Sequence, residues 1–364
     1  MNGVLRSALA LFLLSSAVAA CTSAEQQAAQ PTVTRAAEVP KVPHTPTATA
    51  TAAAPAVTIA EAGRALNDYL ATDDVIRAGG DERMALKLSR DAQLPLMVAH
   101  YRDSKKRLPR YTWGPARTLL VPRLKPDAPT RWFAALVERR SATGASRTAL
   151  LAFVSHKGGP AWQKTFETLL DPRTGPPKMF RDADGYATAL DARDQSVLVS
   201  PNLFGPLHAT VAEEGADGYA ARLISPGRWT TDYYSQIVKE KDTAQQVNGL
   251  AYNSIFAAAA YPVLALRTEE GGALVLYTLI RTSTWTTPKS GGSGQGIVFA
   301  IHRPVEIPKD ARWDLPKPGD EFIDNERRII STLQYAGLVP PKNAQAAQAQ
   351  VIGQDGFVTS ASTS

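Results

Sequence analysis

The feature that most constrains how this chain of 364 residues folds is its single cysteine, Cys21. One thiol forms neither an internal disulfide nor a four-cysteine zinc site or iron–sulfur cluster. Stability must therefore come from burial of apolar side chains, and 44% of the residues are hydrophobic. The net charge of +6 is a mild excess. It is far from the dense basic charge of nucleic-acid-binding domains, so we expect no nucleic-acid partner.

The first 20 residues have the pattern of a secretory signal peptide, MNGVLRSALALFLLSSAVAA. Arg6 supplies the positive charge, and an apolar stretch interrupted by two serines runs from Ala8 to Ala20. This stretch is shorter than the roughly 20 apolar residues that a transmembrane helix needs. The pattern predicts an exported protein whose leader is removed.

The residues Val18-Ala19-Ala20-Cys21 resemble the lipobox of bacterial lipoproteins, in which small residues precede the modified cysteine. The resemblance implies cleavage between Ala20 and Cys21, diacylglycerol on the Cys21 sulfur and acylation, for example by palmitate, of the new amine. The alternative is an ordinary signal peptide followed by a free cysteine. Because two or more acyl chains anchor a protein firmly, we expect a lipid-anchored protein on the extracytoplasmic face of the cell membrane.

Residues 21–57 are predicted to form a disordered tether behind the lipidated cysteine. Positions 22–57 contain alanine, threonine and five prolines, and they lack aromatic, leucine, isoleucine and methionine residues. Such a segment buries too little apolar surface to offset the entropy of ordering it. We expect it to hold a folded body away from the membrane.

From residue 58 onward, helical periodicity is followed by strand periodicity, and this order occurs twice. Thr58 and Glu61 form a capping-box pattern at the start of the first helix. Two more helices are predicted, from Asp81 and over 91–106, followed by strands over 117–124, 131–140, 148–156 and 162–169. The second half predicts helices over 200–211 and 230–246, then strands over 250–260, 263–267, 273–285, 296–302, 327–336 and 349–360. The pattern predicts an α+β fold of two units, residues 58–185 and 186–364, related by duplication or unrelated.

Helices followed by a curved antiparallel sheet resemble the cone-like architecture of nuclear transport factor 2-like proteins. The chain is also similar to a family of actinobacterial secreted lipoproteins that carry a domain of unknown function. That similarity is carried by the lipobox and by short segments at 65–70, 80–81, 131–133, 184–186, 265–268 and 271–275. It implies a fold and a location, and it implies no reaction.

No motif predicts a catalytic residue, a cofactor or a metal site. Gly292-Ser293-Gly294 lies in a serine and glycine loop rather than on a nucleophile elbow. Asp182-Ala183-Asp184-Gly185 begins like a calcium loop, but the later ligands are missing, so we interpret it as a turn. The five histidines, at positions 44, 100, 156, 208 and 302, include no pair at metal-ligand spacing.

The charged doublets are predicted to be solvated. Glu213-Glu214 and Glu269-Glu270 are the candidate acid–base pairs, but the first is predicted at the end of a helix and the second in a turn. The basic clusters at 105–107, 139–140 and 327–328 are interpreted as charged surface.

Two functional hypotheses follow. The first is a non-enzymatic lipoprotein that binds an envelope protein or serves as a scaffold at the cell envelope. The second is a protein with a cone-fold pocket that binds or isomerises a small apolar ligand, with Tyr69, His100 or Tyr101 as an acid or base.

Overall fold

The structure, a computed structural model, describes residues 54–104, 108, 110–156, 162–288, 305–315, 322–345 and 347–364. Several predictions fall outside the described residues. These are the signal peptide, Cys21 and its cleavage site, most of the tether, the basic cluster at 105–107, the loop at Gly292-Ser293-Gly294 and the strand over 296–302.

The α+β class is confirmed, because the described residues form helices and antiparallel strands in the predicted order. The helices are α1 (Ile59–Gly79), α2 (Glu82–Lys87), α3 (Gln93–Asp103), α4 (Pro201–Glu214) and α5 (Thr231–Thr243). The strands are β1 (Tyr111–Leu120), β2 (Thr130–Ser141), β3 (Ser146–His156), β4 (Gln163–Leu169), β5 (Ala251–Ala258), β6 (Leu264–Arg267), β7 (Ala273–Thr286), β8 (Glu326–Val339) and β9 (Gln350–Thr363).

The strands form two antiparallel sheets. The first sheet has the order β1-β2-β3-β4, so each strand pairs with its neighbour in sequence. The second has the order β5-β7-β8-β9, and β6 pairs with the part of β7 that precedes the β5 pairing. Sequential antiparallel pairing needs only short connections, which explains why the turn signals were informative.

The predicted capping signals act as expected. The Thr58 hydroxyl accepts a hydrogen bond from the Glu61 amide at 3.1 Å, and α1 ends at Gly80, whose φ is 70°. The Asp81 carboxylate accepts from the Met84 amide at 3.0 Å and starts α2. Because each cap depends on residues within one turn, the sequence predicts these ends well.

Alternating side chains on the central strands separate the interior into layers. On β2, Phe133, Ala135 and Val137 pack with α1, whereas Trp132, Ala134 and Leu136 pack in a core shared with the second sheet. On β7, Leu274 and Leu276 join that shared core. The opposite face of β7 packs in a core with Phe204 of α4 and Tyr233 of α5. The result is a helix–sheet–sheet–helix arrangement, which is why β2 and β7 are apolar on both faces.

The sheets also meet along their edges. Leu170, next to β4, forms an isolated antiparallel bridge with Gly353 of β9, and the Asp171 amide donates to the Ile352 carbonyl at 2.7 Å. Residues 171–199 then connect the first sheet to α4, with a bridge from Ala189 to Leu266. The predicted unit boundary at residues 185 and 186 falls inside this connection.

Some predicted orientations are wrong. The spacing of Leu94, Val98 and Tyr101 predicts that these side chains share the inward face of α3, but Leu94 is exposed, whereas Leu96 and Met97 are buried. Arg327 is fully buried and donates to the Val305 carbonyl at 3.0 Å. Glu213 is not solvated, because its carboxylate accepts from the Phe256 amide at 2.5 Å. In each case, contacts distant in sequence decide which side faces inward.

Candidate functional site

A polar cavity of about 190 Å³ lies where β4 and β9 meet beneath α3. Such a volume is far above the roughly 10–15 Å³ that one water molecule needs. We call it the β4–β9 cavity. Its lining residues are Arg77, Gln93, Leu96, Met97, His100, Leu108, Tyr111, Arg139, Lys164, Glu167, Asp355 and Gly356.

A bulge in β4 places two charged side chains in this cavity. Ala152 of β3 pairs with Phe166, but Phe153 pairs with Lys164, so Thr165 is an extra residue on β4. In a regular strand, residues three apart face opposite sides, and one inserted residue brings them to the same side. Lys164 and Glu167 therefore form an ion pair inside the fold, with side chains that are 1% and 9% exposed.

Gln334 of β8 holds the bulge in place from the other sheet. Its side-chain amide donates to the Thr165 carbonyl at 3.0 Å, and its oxygen accepts from the Glu167 amide at 3.1 Å. The side-chain amide of Gln93 from α3 donates to the same oxygen. These bonds satisfy polar groups that the bulge would otherwise leave unpaired, so all three elements fix the geometry of the site.

Glu167 is the centre of the charge network. Its Oε2 binds Lys164 Nζ, its Oε1 accepts from Arg139 Nη1 at 2.9 Å, and the Tyr111 hydroxyl lies 3.5 Å from Oε1. Burial by itself would raise the pKa of Glu167, but Lys164, Arg139 and Arg77 outweigh it and hold that pKa well below its usual value. Burial opposes the charge on Lys164 as well, yet Glu167 raises the pKa of that amine. Both groups are therefore ionised at neutral pH.

Two arginines enclose the Tyr111 ring. The guanidinium carbon of Arg77 lies 3.8 Å from the ring centroid, and that of Arg139 lies 4.6 Å from it. Arg77 also pairs with Asp73, its Nε lying 2.8 Å from Oδ2, and the Trp113 indole donates to that same oxygen at 3.1 Å. Cation–π contacts and a carboxylate partner together stabilise a guanidinium away from bulk water.

Asp355 is the carboxylate with the fewest partners in the β4–β9 cavity. Its Oδ1 accepts from the Gly356 amide at 2.8 Å, and its Oδ2 lies 4.0 Å from Arg139 Nη1, beyond hydrogen-bond distance. Its side chain is 39% exposed. Desolvation, and then repulsion from Glu167, raises the pKa of Asp355 to about 6.

His100 and an apolar patch complete the wall. The His100 ring packs 4.6 Å from the Phe357 ring, and burial lowers its pKa to about 4. The imidazole is therefore neutral at neutral pH and offers one donor and one acceptor. Leu96, Met97 and Leu108 give the cavity an apolar side.

The structure separates the three residues proposed as acid or base. His100 lines the β4–β9 cavity. Tyr69 packs edge-on against Phe153 at 4.9 Å, within the core beside α1. Tyr101 lies in a separate cluster with Ile76 and Met97, and its hydroxyl has no hydrogen-bond partner in the described part of the chain. Only the first of these residues reaches the cavity.

The possible calcium loop is a turn held by an arginine. Arg123 binds Asp182 at 2.7 Å and Asp184 at 2.5 Å, and the Asp182 carboxylate accepts from the Tyr186 amide. The Arg123 guanidinium therefore lies between the two carboxylates that would bind a calcium ion. Within the residues that the structure describes, no group of three or more histidine, cysteine or acidic side chains could hold a metal ion.

Four lining residues, Arg139, Lys164, Glu167 and Asp355, are not predicted as site residues by any sequence motif. Arg139 was interpreted as solvated surface, which is wrong, whereas its neighbour Arg140 is half exposed and pairs with Glu138. A signal for Arg139 existed, because it continues the alternation of Phe133, Ala135 and Val137. No comparable signal existed for Lys164 and Glu167, since the bulge reverses the face of one of them.

The described helices include none with the length and apolar character to cross a membrane. The sequence profile of a family described as Domain of unknown function (DUF8094) matches residues 53–296, which include most of the cavity wall. No solved structure matches the chain.

Three similar proteins are named as uncharacterized lipoproteins. One from Streptomyces avermitilis is 30% identical over 229 residues, which cover 58% of this chain and 62% of the relative. One from Streptomyces coelicolor is 28% identical over 254 residues, which cover 65% of this chain and 68% of the relative. Another from the same organism is 30% identical over 148 residues, which cover 41% of this chain and 42% of the relative. The chain thus spans less than two thirds of the length of the first relative.

Proposed function

Since the chain belongs to the DUF8094 family, whose match covers the first sheet, we propose that it is a lipid-anchored lipoprotein of the extracytoplasmic membrane face that binds a small polar ligand. The folded body is the binding module and the β4–β9 cavity is its site. The chain binds its ligand without transforming it.

The anchor is proposed from the N-terminal residues. Val18-Ala19-Ala20-Cys21 has the spacing of a lipobox, and the three relatives carry the name lipoprotein. Lipidation of Cys21 would hold the protein by its acyl chains. The proline-containing segment up to residue 57 would then give the body freedom to meet ligands in the envelope.

The observation that carries the binding role is a buried charge network beside an open cavity. Removing ions from water is expensive, and a purely structural contact between two sheets is made at least as well by apolar side chains. Here Lys164 and Glu167 are almost fully buried, yet no protein side chain of the described residues packs into the adjacent cavity. A cavity that combines apolar surface with a few convergent polar and charged groups is typical of ligand sites.

The chemistry of the wall supports a polar ligand over an apolar one. Eight of the twelve lining residues carry a charged or polar side-chain group, at positions 77, 93, 100, 111, 139, 164, 167 and 355. A wholly apolar molecule would desolvate those groups without replacing their hydrogen bonds. A tandem pair of cone-like units, as in nuclear transport factor 2-like proteins, remains part of this proposal because each sheet follows helices in sequence.

A thermal-shift screen of the full chain in non-ionic detergent tests the binding role. The panel contains small anions, cations and neutral polar compounds. A ligand present at 100 times its dissociation constant stabilises a protein by about 2.7 kcal/mol. We expect at least one class to raise the melting temperature of the wild type and of Arg140→Gln, and not that of Arg139→Gln. Equal shifts in both variants, or none in the wild type, would refute binding in this cavity and favour the scaffold role.

Replacement of the cysteine tests the anchor. We expect Cys21→Ser to abolish labelling by a palmitate analogue and to move the protein from the membrane fraction. A labelled Cys21→Ser variant would show that the anchor lies elsewhere.

A further inference from the structure

The β4–β9 cavity contains hydrogen-bond donors that the protein itself leaves unused. Among the described residues, Arg139 makes one side-chain hydrogen bond, from Nη1 to Glu167, which leaves Nε and Nη2 available. Lys164 Nζ binds Glu167 and lies 5.4 Å from the Tyr69 ring centroid. Both side chains line the cavity: that of Arg139 is 20% exposed and can offer its donors to a ligand, whereas that of Lys164 is 1% exposed and contributes its positive charge.

The carboxylate oxygens on the wall are largely occupied, and the neutral His100 ring adds one uncharged acceptor. Both carboxylate oxygens of Glu167 are used by Lys164 and Arg139. Asp355 Oδ1 is used by the Gly356 amide, which leaves Oδ2 as the open carboxylate oxygen. The site therefore has more charged donors to offer than acceptors, and a ligand that carries a negative charge matches it best.

The balance of charges around the β4–β9 cavity also favours a negatively charged ligand. Three cations, Arg77, Arg139 and Lys164, face three carboxylates, on Asp73, Glu167 and Asp355. The Asp73 and Glu167 carboxylates are bound within 3 Å of a cation, whereas that of Asp355 is 4.0 Å from its nearest one. When Asp355 takes up a proton, the cluster has one excess positive charge and gains an O–H donor. An entering monoanion would restore neutrality.

We infer that the β4–β9 cavity binds a small aliphatic monocarboxylate between Arg139 and Lys164, with its short chain against Leu96, Met97 and Leu108, and that Asp355 is protonated in the complex. This inference rests on the proposed function and names its ligand class. The ligand carboxylate accepts from the unused N–H groups of Arg139 and from the Asp355 hydroxyl, and the buried Lys164 ammonium adds its charge from behind the wall. The apolar patch accommodates a chain of a few carbons.

The groups around Asp355 support this coupling to protons. Glu167 on β4 repels the Asp355 carboxylate, whereas Arg139 on β2 and Lys164 on β4 attract it. Arg147 on β3 also interacts with Asp355, and its own pKa is lowered chiefly by desolvation. His100 on α3 lines the same cavity and stays neutral above about pH 4, since that is its pKa. With a pKa of about 6, Asp355 is the wall group that changes charge near neutrality.

Titration of the full chain in detergent with propionate, followed by NMR of the ligand signals, tests the inference. We expect binding that is roughly twentyfold weaker at pH 7.5 than at pH 5.5, because the free site must gain a proton first. Calorimetry at pH 7.5 in two buffers of different ionisation enthalpy should show the uptake of close to one proton. Asp355→Asn keeps an acceptor for the Gly356 amide, and we expect it to bind propionate with little pH dependence.

The arginine variants identify the anion contact. Arg139→Gln should weaken propionate binding at least about tenfold, the scale of one charge-assisted hydrogen bond. Arg139→Lys keeps the charge and guards against misfolding, and it should lie between the wild type and Arg139→Gln. Arg140→Gln should bind as the wild type does.

Each contrary result is informative. Binding of phosphate, tetramethylammonium or a neutral polyol in place of propionate, still dependent on Arg139, would overturn the monocarboxylate inference and leave the proposed function standing. Propionate binding without proton uptake would overturn the role of Asp355. No binding of any class, with all variants folded, would overturn both the inference and the proposed function.

Discussion

Two buried polar regions of this protein differ in whether their hydrogen bonds are complete. One is the β4–β9 cavity. The other is a cluster of His208, Tyr233, Tyr277 and Tyr335, which lies between the second sheet and helices α4 and α5. We call it the His208 cluster.

The His208 cluster is closed. His208 is fully buried; its Nε2 lies 2.5 Å from the Trp229 carbonyl and its Nδ1 lies 2.9 Å from the Tyr277 hydroxyl. Because a carbonyl only accepts, Nε2 carries the proton and Nδ1 accepts from Tyr277. Tyr335 and Tyr233 share a hydrogen bond of 3.1 Å. Burial lowers the pKa of His208 to about 4, so the cluster is neutral.

The β4–β9 cavity is open, because donors of Arg139 and one carboxylate oxygen of Asp355 have no hydrogen-bond partner among the described residues. A satisfied network rigidifies a core and needs nothing from outside. A network with spare charged donors gains from a ligand that supplies the missing acceptor. The comparison therefore assigns a structural role to the His208 cluster and a binding role to the cavity, and the following four changes test it.

The largest expected effect is on the cavity. Glu167→Gln leaves Lys164 and Arg139 without their shared carboxylate, and removal of one partner from a buried ion pair costs about 3–5 kcal/mol. We expect chemical denaturation to show a loss of that size. Glu138→Gln, which affects the exposed pair with Arg140, is the control and should leave the midpoint nearly unchanged. A small loss in Glu167→Gln would mean that the network is well hydrated.

The next effect is the acid sensitivity of the His208 cluster. The folded-state pKa of His208, about 4, is below the unfolded value of about 6.5. The unfolded chain therefore binds more protons between these values, and stability falls as the pH drops from about 6.5 to about 4, by up to about 3 kcal/mol. His208→Gln should be less stable at pH 7 but have a flatter pH profile. The pH dependence of stability that remains in His208→Gln is expected to come from His100, whose pKa is also about 4.

A smaller loss is expected when the closed network is opened. Tyr277→Phe removes the donor to His208 Nδ1 and leaves a buried acceptor unsatisfied, which costs about 1–3 kcal/mol. Tyr219→Phe changes an exposed tyrosine and should have no measurable effect on the unfolding midpoint. Ligand binding should be intact in Tyr277→Phe. A loss of binding there would break the distinction between the two regions.

The smallest effect is a gain of stability. Because the folded protein raises the pKa of Asp355 to about 6, ionisation of this carboxylate opposes folding above that pH. Asp355→Asn should stabilise the unliganded protein at pH 7.5 by less than about 1 kcal/mol, since exposure screens the repulsion. At pH 4 the wild type and Asp355→Asn should be equally stable. Thermal unfolding of both proteins at pH 4 and pH 7.5 measures this difference. A loss at pH 7.5 would indicate that the Asp355 charge is stabilising.

The sequence was most informative where the controlling contacts are short in range. Thr58, Gly80 and Asp81 set the helix ends through bonds within one turn, and they were predicted correctly. The turn at Glu269–Gly272 was also predicted, and its Gly271 has a φ of 80°. The faces of α3 and the burial of Arg327 and Arg139 were not, because packing against other elements selects them, including β9 for α3.

The amino-acid sequence by itself determined the α+β class, the order of the elements and the expectation of a lipidated Cys21, because caps, periodicity and a lipobox are local patterns. Only the tertiary structure decided where the charges lie. The bulge at Thr165 turned Lys164 and Glu167 to one side, and Gln334 from the other sheet secured it. The edge contact between β4 and β9 then brought Asp355 within 4.0 Å of Arg139. Electrostatic energy depends on distances through space. Arg139 and Glu167 meet within the first sheet, and Asp355 joins them only after the two sheets have packed.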